Sequence, residues 1–186
     1  MATIGGNLIN ASPIADSLPF LYVCRAQLEL ASQQGARTVD INDFYSGYKE
    51  FDLKPGELLT RITIPLPNEA DDLRLYKISR RKDLDISSFT AAIRIDTGIS
   101  KGQDSIQSAS IALGAVGPTV LRLPKTEAFL IGKPMNLQTM QQAGDIAVTE
   151  ITPITDVRGS KDYRLQLARN VLLKFFHQVR PEGALA

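Results

Sequence analysis

The densest run of chemically capable side chains is Lys77-Ile-Ser-Arg80-Arg81-Lys82-Asp83-Leu-Asp85. Charges of both signs in so short a stretch describe first a solvated loop with local ion pairs, each worth about 0–1 kcal/mol. Lys77 stands apart, because it ends an alternating segment beside Tyr76, where an ammonium can point into a cleft. Read as a metal motif, Asp83 and Asp85 lack the further oxygen ligands a hard cation requires, and Asp71-Asp72 is weaker still. A second feature is Thr3-Ile-Gly-Gly-Asn7. A Gly-Gly-Asn turn reaches positive φ and can line up amide N–H groups around an anion or a polar ligand edge, and it serves equally as a plain tight turn. His177 and Cys24 are each alone in their class, which excludes an internal disulfide, an iron–sulfur site, a cysteine-based zinc site and any scheme needing two histidines. Cys24 sits in the apolar run FLYVC and is expected to pack rather than react. With no GxGxxG, no P-loop and no Ser-His-Asp order, the local chemistry implies binding rather than acid–base catalysis.

Positioning such residues takes a core, and 186 residues suffice for one domain or two small ones. The chain is 44% hydrophobic and 22% charged, with a net charge of +1, which gives no argument for nucleic acid or anionic lipid as partner. No apolar run approaches the ~20 residues of a membrane helix, and a soluble, cytoplasmic protein is expected. Asp16-Ser17 offers N-cap oxygens to a short buried helix near Phe20 to Cys24, with Pro19 in its first turn. Residues 26–30 and 37–41 alternate as a hairpin about Gly35, Asn42 to Tyr45 reads as a capped helical turn, and 58–65 reads as a strand after the Lys54-Pro55-Gly56-Glu57 turn. The polar connector from Pro65 to Asp72 is the expected domain boundary.

Beyond it, residues 73–78, 89–95 and 106–116 read as strands of an antiparallel sheet. Helices are expected over 125–130 and 137–150, although Gly144 weakens the latter. The strongest helix starts at Ser160 and carries Leu165, Ala168, Leu172, Phe175, Phe176 and Val179 to a stop at Pro181, with Arg164, Arg169, Lys174 and His177 placed mostly on the other side. Strands followed by helices make an α+β domain with helices on one sheet face.

Taken in order, TIGGNLINASPIADSLP, KPGELLTRITIPLP, YKISRRKDLDISSFTAAIRI, LGAVGPTVLRLPKTEAFLIGKP and ITPITDVRGSKDYRLQLARNVLLKFF cover nearly the whole chain. Together they resemble the flavoprotein domain of the xanthine dehydrogenase and carbon monoxide dehydrogenase family, the molybdenum hydroxylases. The resemblance implies that residues 1–66 are the second subdomain of a vanillyl-alcohol-oxidase-like FAD-binding fold. Residues 72–186 are then a C-terminal α+β domain with a three-stranded antiparallel sheet packed by helices. Thr3, Ile4, Gly5, Gly6 and Asn7 match a loop that contacts FAD, Asp16 matches an acidic residue that hydrogen-bonds the cofactor, Leu59 an apolar residue beside the isoalloxazine, and Lys77 a lysine of the FAD site. Arg80 to Asp85 resemble a mobile charged loop near the flavin. Asp156, Arg158, Gly159, Tyr163 and Arg164 match a pattern read as structural.

By the resemblance, the family's first FAD-binding subdomain, with its pyrophosphate-cradling loop, should precede Thr3; its expected absence here is read as a truncated gene, a split gene or a sequence cut at this point. FAD is therefore expected to bind weakly or not at all to this chain alone, which would be inactive in isolation. An apolar surface left open would favour a homodimer or a partner. By the same resemblance, molybdopterin and iron–sulfur clusters belong to partner subunits or domains, and electrons pass from those clusters through FAD to NAD or another acceptor. The alternative is a non-catalytic assembly module that has lost FAD binding.

Overall fold

Thr3 begins the described chain with a cap instead of a turn. The computed structural model describes residues 3–69, 71–98 and 105–180, so the stop expected at Pro181 lies outside the described residues. Helix α1 (Ile4–Ile9) starts directly behind Thr3, whose Oγ1 accepts from the Gly6 N–H. The first-turn amides of a helix have no internal partner, and the Thr3 hydroxyl satisfies one of them. Gly5 and Gly6 are accordingly helical and neither has positive φ, which corrects the expected Gly-Gly turn. Helix α2 (Leu18–Val23) follows with Pro19 in its first turn. Ser17 holds the N-cap position without a side-chain cap bond, and Asp16 is engaged elsewhere.

Strands β1 (Gln27–Ser32) and β2 (Gly35–Asp40) form the expected hairpin, with Gly35 at φ +136. Asp40 then caps α3 (Ile41–Phe44) by accepting from the Asn42 N–H. A small pair, β3 (Tyr45–Gly47) and β4 (Glu50–Phe51), precedes β5 (Leu58–Thr63), which pairs antiparallel with β1 on the side away from β2. Leu28 and Leu30 of β1 point into a core shared with α2 and α3, while Arg37 of β2 grips the 52–57 turn. That guanidinium bonds Glu57 at 2.7 Å and Asp52 at 2.6 Å. The Arg37 charge and the Lys54 amide hold the Glu57 carboxyl down to about 2, and Arg37 lowers Asp52 as well.

The second sheet contains β6 (Asp71–Ile78), β7 (Phe89–Asp96), β8 (Ser108–Gly114) and β9 (Leu121–Arg122), all antiparallel in that order. It thus has four strands rather than three. The two residues of β9 are too few to show a period, but Arg122 earns its place by bonding Glu127, Ser110 Oγ, the Tyr22 carbonyl and Asn42 Oδ1.

Helices α4 (Pro124–Leu130), α5 (Leu137–Ala147) and α6 (Lys161–Val179) cover one face. Phe89, Ile93, Ile95, Ile111 and Leu113 meet Leu130, Met140, Ala143, Ala168, Leu172 and Phe175 there. Gly144, which weakens α5 by propensity, is required by contact. A Cβ at that position would stand 2.4 Å from the Arg169 carbonyl oxygen of α6. Ser160 Oγ caps α6 by accepting from the Tyr163 N–H.

Arg164, expected toward solvent, is 1% exposed. It shares the buried face of α6 with Ala168, Leu172 and Phe175, and it donates to the Ser88 and Ile154 carbonyls and to Asp156 Oδ1. Burial would raise the Asp156 carboxyl, but the Arg158 amide and the Arg164 and Arg158 guanidinium groups together hold it below its ordinary value. The other sheet face carries small residues, Ala92 and Ala112, against which α2 packs. The two halves of the chain therefore meet in this second core, distinct from the one beneath α4, α5 and α6.

Candidate functional site

Between α1 and the connection 79–88 lies a cleft of about 550 Å³. Ile4, Ile14 and Ile86 give it apolar walls, while Asn7, Asn10, Asp16, Ser17 and Ser87 give it polar edges. Its residues come from three places: α1, the bend at 12–17 and the foot of β7. Ser12-Pro13 aims the bend, because the Pro13 carbonyl accepts from the Ala115 N–H just beyond β8. Gly114 permits that approach, since a Cβ there would lie 2.2 Å from Thr90 Oγ1 and 3.2 Å from the Pro13 oxygen.

Two contacts organise the polar edge. Ser17 Oγ donates to Asn7 Oδ1 at 2.6 Å, which turns the Asn7 amide nitrogen away from Ser17. Lys77 Nζ donates to Asp16 Oδ2 at 2.7 Å, and Ser87 Oγ donates to Asp16 Oδ1. Asp16 and Lys77 are 61 residues apart in sequence and meet at the cleft rim. Loop 79–88 is tied within itself, because the Asp85 carboxylate accepts from the Arg81 and Ile86 amides and pairs with the Arg81 guanidinium. Those bonds, the Arg81 amide first, hold the Asp85 carboxyl below its ordinary value.

Of the residues singled out in the sequence, Thr3, Ile4, Asn7 and Asp16 line the cleft, and Lys77 reaches its rim through Asp16. Gly5 and Gly6 form the body of α1 behind them. Leu59 does not line the cleft but lies near α1, where a Cβ on Gly5 would meet Leu59 Cδ2 at 3.9 Å. Ser87, Ile14 and Ile86 carried no sequence signal of their own, and Ser17 only that of a helix cap. Ser87 lies directly after the charged run and Ser17 directly after Asp16, so neighbourhood was the one further cue available.

The donor set suits a flavin nucleotide. Such a ligand asks for an apolar surface, hydroxyl partners and a positive charge, and the cleft supplies Ile4, Ile14 and Ile86, then Asp16 and Asn7, then Lys77. Among the described residues no group of three His, Cys, Asp or Glu is arranged to hold a metal ion, and no helix is long and apolar enough to cross a membrane.

Comparison with known proteins agrees with that chemistry. Residues 1–67 match the family of the FAD binding domain in molybdopterin dehydrogenase, and residues 74–179 match the CO dehydrogenase flavoprotein C-terminal domain. Xanthine dehydrogenase 1 of Arabidopsis thaliana is 32% identical over 178 residues, 95% of this chain and 13% of the plant protein. The xanthine dehydrogenase FAD-binding subunit of Escherichia coli O157:H7 is 30% identical over 94% of this chain and 59% of its own length. Among solved structures, a chain of reconstituted CO dehydrogenase from Oligotropha carboxidovorans superposes with a TM-score of 0.83 at 33% identity, covering 94% of this chain and 59% of that one. The chain thus spans about three fifths of that FAD-binding subunit and a much smaller share of the plant enzyme. By these matches the chain belongs to the FAD-binding flavoprotein family of the molybdopterin-dependent dehydrogenases, the xanthine and carbon monoxide dehydrogenase family.

Proposed function

We propose that the cleft between α1 and the 79–88 connection receives FAD, and that the chain positions this cofactor within a molybdenum hydroxylase. The observation that carries the reading is the Asp16–Lys77 contact. Two residues from separate parts of the chain, each matched to the family's cofactor site, meet on one cleft rim at 2.7 Å. When bound, FAD supplies the redox chemistry, accepting electrons from iron–sulfur clusters of a partner chain and passing them to NAD or another acceptor.

The chain's own residues bind and orient. Ile4, Ile14 and Ile86 exclude water from an apolar ligand face, the Asn7 amide and the Asp16 carboxylate pair with polar ligand edges, and Lys77 brings positive charge to an anionic ligand. No residue needs to act as a general acid or base. Residues 1–66 serve as the cofactor-binding part and 72–186 as the C-terminal α+β part, a division supported by the bounds of the two family matches.

The reading is tested by titrating the purified chain with FAD and following flavin fluorescence, in the wild type and in Asp16→Ala and Lys77→Ala. Weak quenching, saturating only at high FAD and falling at least about tenfold further in both variants, is expected, as for the loss of a charge-assisted hydrogen bond. Quenching equal in all three proteins removes the cleft as the flavin site. Near-stoichiometric binding by the wild type overturns the non-catalytic binding or assembly module, whereas no quenching even at millimolar FAD is the outcome that module predicts.

A further inference from the structure

Asp16 takes its two partners from opposite feet of one loop. Lys77 is the penultimate residue of β6, and Ser87 stands two residues ahead of β7, so one carboxylate of the 12–17 bend staples both ends of the 79–88 connection. The three side chains differ in burial. Lys77 and Asp16 keep 43% and 48% of their exposure, whereas Ser87 keeps 1%. An ion pair that open fixes geometry poorly, because ordering two mobile side chains offsets most of its attraction. A buried hydroxyl must find an acceptor, and a bond to a carboxylate is stronger than a neutral one.

Ser87 also stands on a rigid base that owes nothing to Asp16. The neighbouring Ser88 N–H donates to the Ile78 carbonyl at 2.8 Å, Ser88 Oγ donates to the Arg158 carbonyl, and buried Arg164 donates to the Ser88 carbonyl. The hydroxyl is therefore placed by β6, by the 156–159 turn and by α6, and the carboxylate comes to it.

We propose that Ser87 is a positioning residue of the cofactor cleft: its hydroxyl fixes the Asp16 carboxylate, which parks the Lys77 ammonium and leaves its remaining N–H donors at the rim. This rests on the flavin reading above. Lys77 holds one bond to Asp16 and has two further donors to offer a ligand. Ser87 thus acts on the ligand through two intermediaries, its hydroxyl hydrogen being committed to Asp16.

The test is amine labelling of the 186-residue chain with an acylating reagent, followed by peptide mass analysis, in the wild type, Ser87→Ala and Ser87→Thr. Lys54, exposed on the distant 52–57 turn, serves as the internal standard. Without FAD, Ser87→Ala is expected to raise the Lys77 labelling rate relative to Lys54 about fivefold, the size of one lost hydrogen bond, and Ser87→Thr to restore it. An unchanged rate in Ser87→Ala, or no rescue by threonine, overturns the proposal. With FAD added, protection of Lys77 in the wild type and Ser87→Thr but not in Ser87→Ala is expected, and equal protection in all three overturns the proposal. Absence of protection in every protein sinks the flavin reading alone, and the rates without FAD still decide whether Ser87 sets Lys77.

Discussion

The helix-covered face of the β6-β7-β8-β9 sheet and the face that receives α2 are made by the same strands from opposite materials. On the first, Ile93, Ile95, Ile111 and Leu113 fill the space beneath α4, α5 and α6. On the second, Ala92 and Ala112 lie beneath α2, and Gly114 lies beneath Pro13. Strand alternation sends neighbours such as Ala91 and Ala92 to different cores. Large residues make the first face the main store of burial energy. Small ones let the 12–17 bend come within hydrogen-bond reach of β8, which sets Asp16 at the cleft. Removing atoms should therefore damage the first face, and adding atoms should damage the second.

Leu172→Ala tests the first half of that contrast and carries the largest expected effect. Leu172 is fully buried among the helices, and its truncation should cost about 2–5 kcal/mol by chemical denaturation. The Lys77 labelling rate should stay as in the wild type, because the cleft lies on the other face. Gly114→Ala tests the second half. Its new methyl would stand 2.2 Å from Thr90 Oγ1 and close to the Pro13 carbonyl, at a cost of about 1–3 kcal/mol. Unlike Leu172→Ala, it should also displace the 12–17 bend, raising Lys77 labelling and weakening FAD quenching. Equal effects of the two variants on the cleft would break the division between faces.

The same contrast explains what the sequence disclosed. Elements with a sustained apolar or alternating run were readable: β7, buried on both faces, the β1–β2 hairpin, and α6 with its Ser160 cap. Elements fixed by single contacts were not. The Gly5-Gly6 pair reads as a breaker, yet the Thr3 hydroxyl makes it a helical first turn, where missing side chains cost little. Strand β9 holds its place through Arg122, and the β3–β4 hairpin turns at Lys49, a non-glycine residue at φ +57. Arg164 misleads by its residue type, although its spacing of four and eight from Ala168 and Leu172 matched the buried stripe. At the cleft, Lys77 stood out as the end of an alternating segment and Asp16 as a cap candidate, but their pairing was not readable, because no local pattern links positions 61 apart.

The N-terminal β2-β1-β5 sheet differs from the helix-covered one in how it is held. The former is clasped by Arg37, Asp52 and Glu57, so its loss should be acid-dependent. The Glu57 carboxyl sits at about 2 in the folded chain against an ordinary 4.5, and Asp52 is lowered as well. A depressed folded value contributes stability that is fully present above about 4.5 and is lost as the pH falls toward 2. The melting temperature should therefore drop between pH 5 and pH 3, and Arg37→Met should flatten that drop while lowering the plateau above it. A wild-type profile no steeper than that of Arg37→Met would remove the clasp as the acid-sensitive element.

Lys77→Met should have the smallest effect on stability and, among these variants, the most selective effect on binding. Its ion pair with Asp16 is about half exposed on both sides, and pairs of that kind contribute about 0–1 kcal/mol. Methionine keeps much of the unbranched stem, and the Asp16 carboxylate retains Ser87 as its donor. Denaturation midpoints should accordingly stay near the wild type while FAD quenching falls. Leu172→Ala should do the reverse, losing stability with little change in affinity measured below its unfolding range. Plotted together, affinity against stability, the two variants should lie on separate axes. If Lys77→Met loses as much stability as Leu172→Ala, the lysine belongs to the scaffold, and the small-residue face holds a structural strut in place of a ligand site.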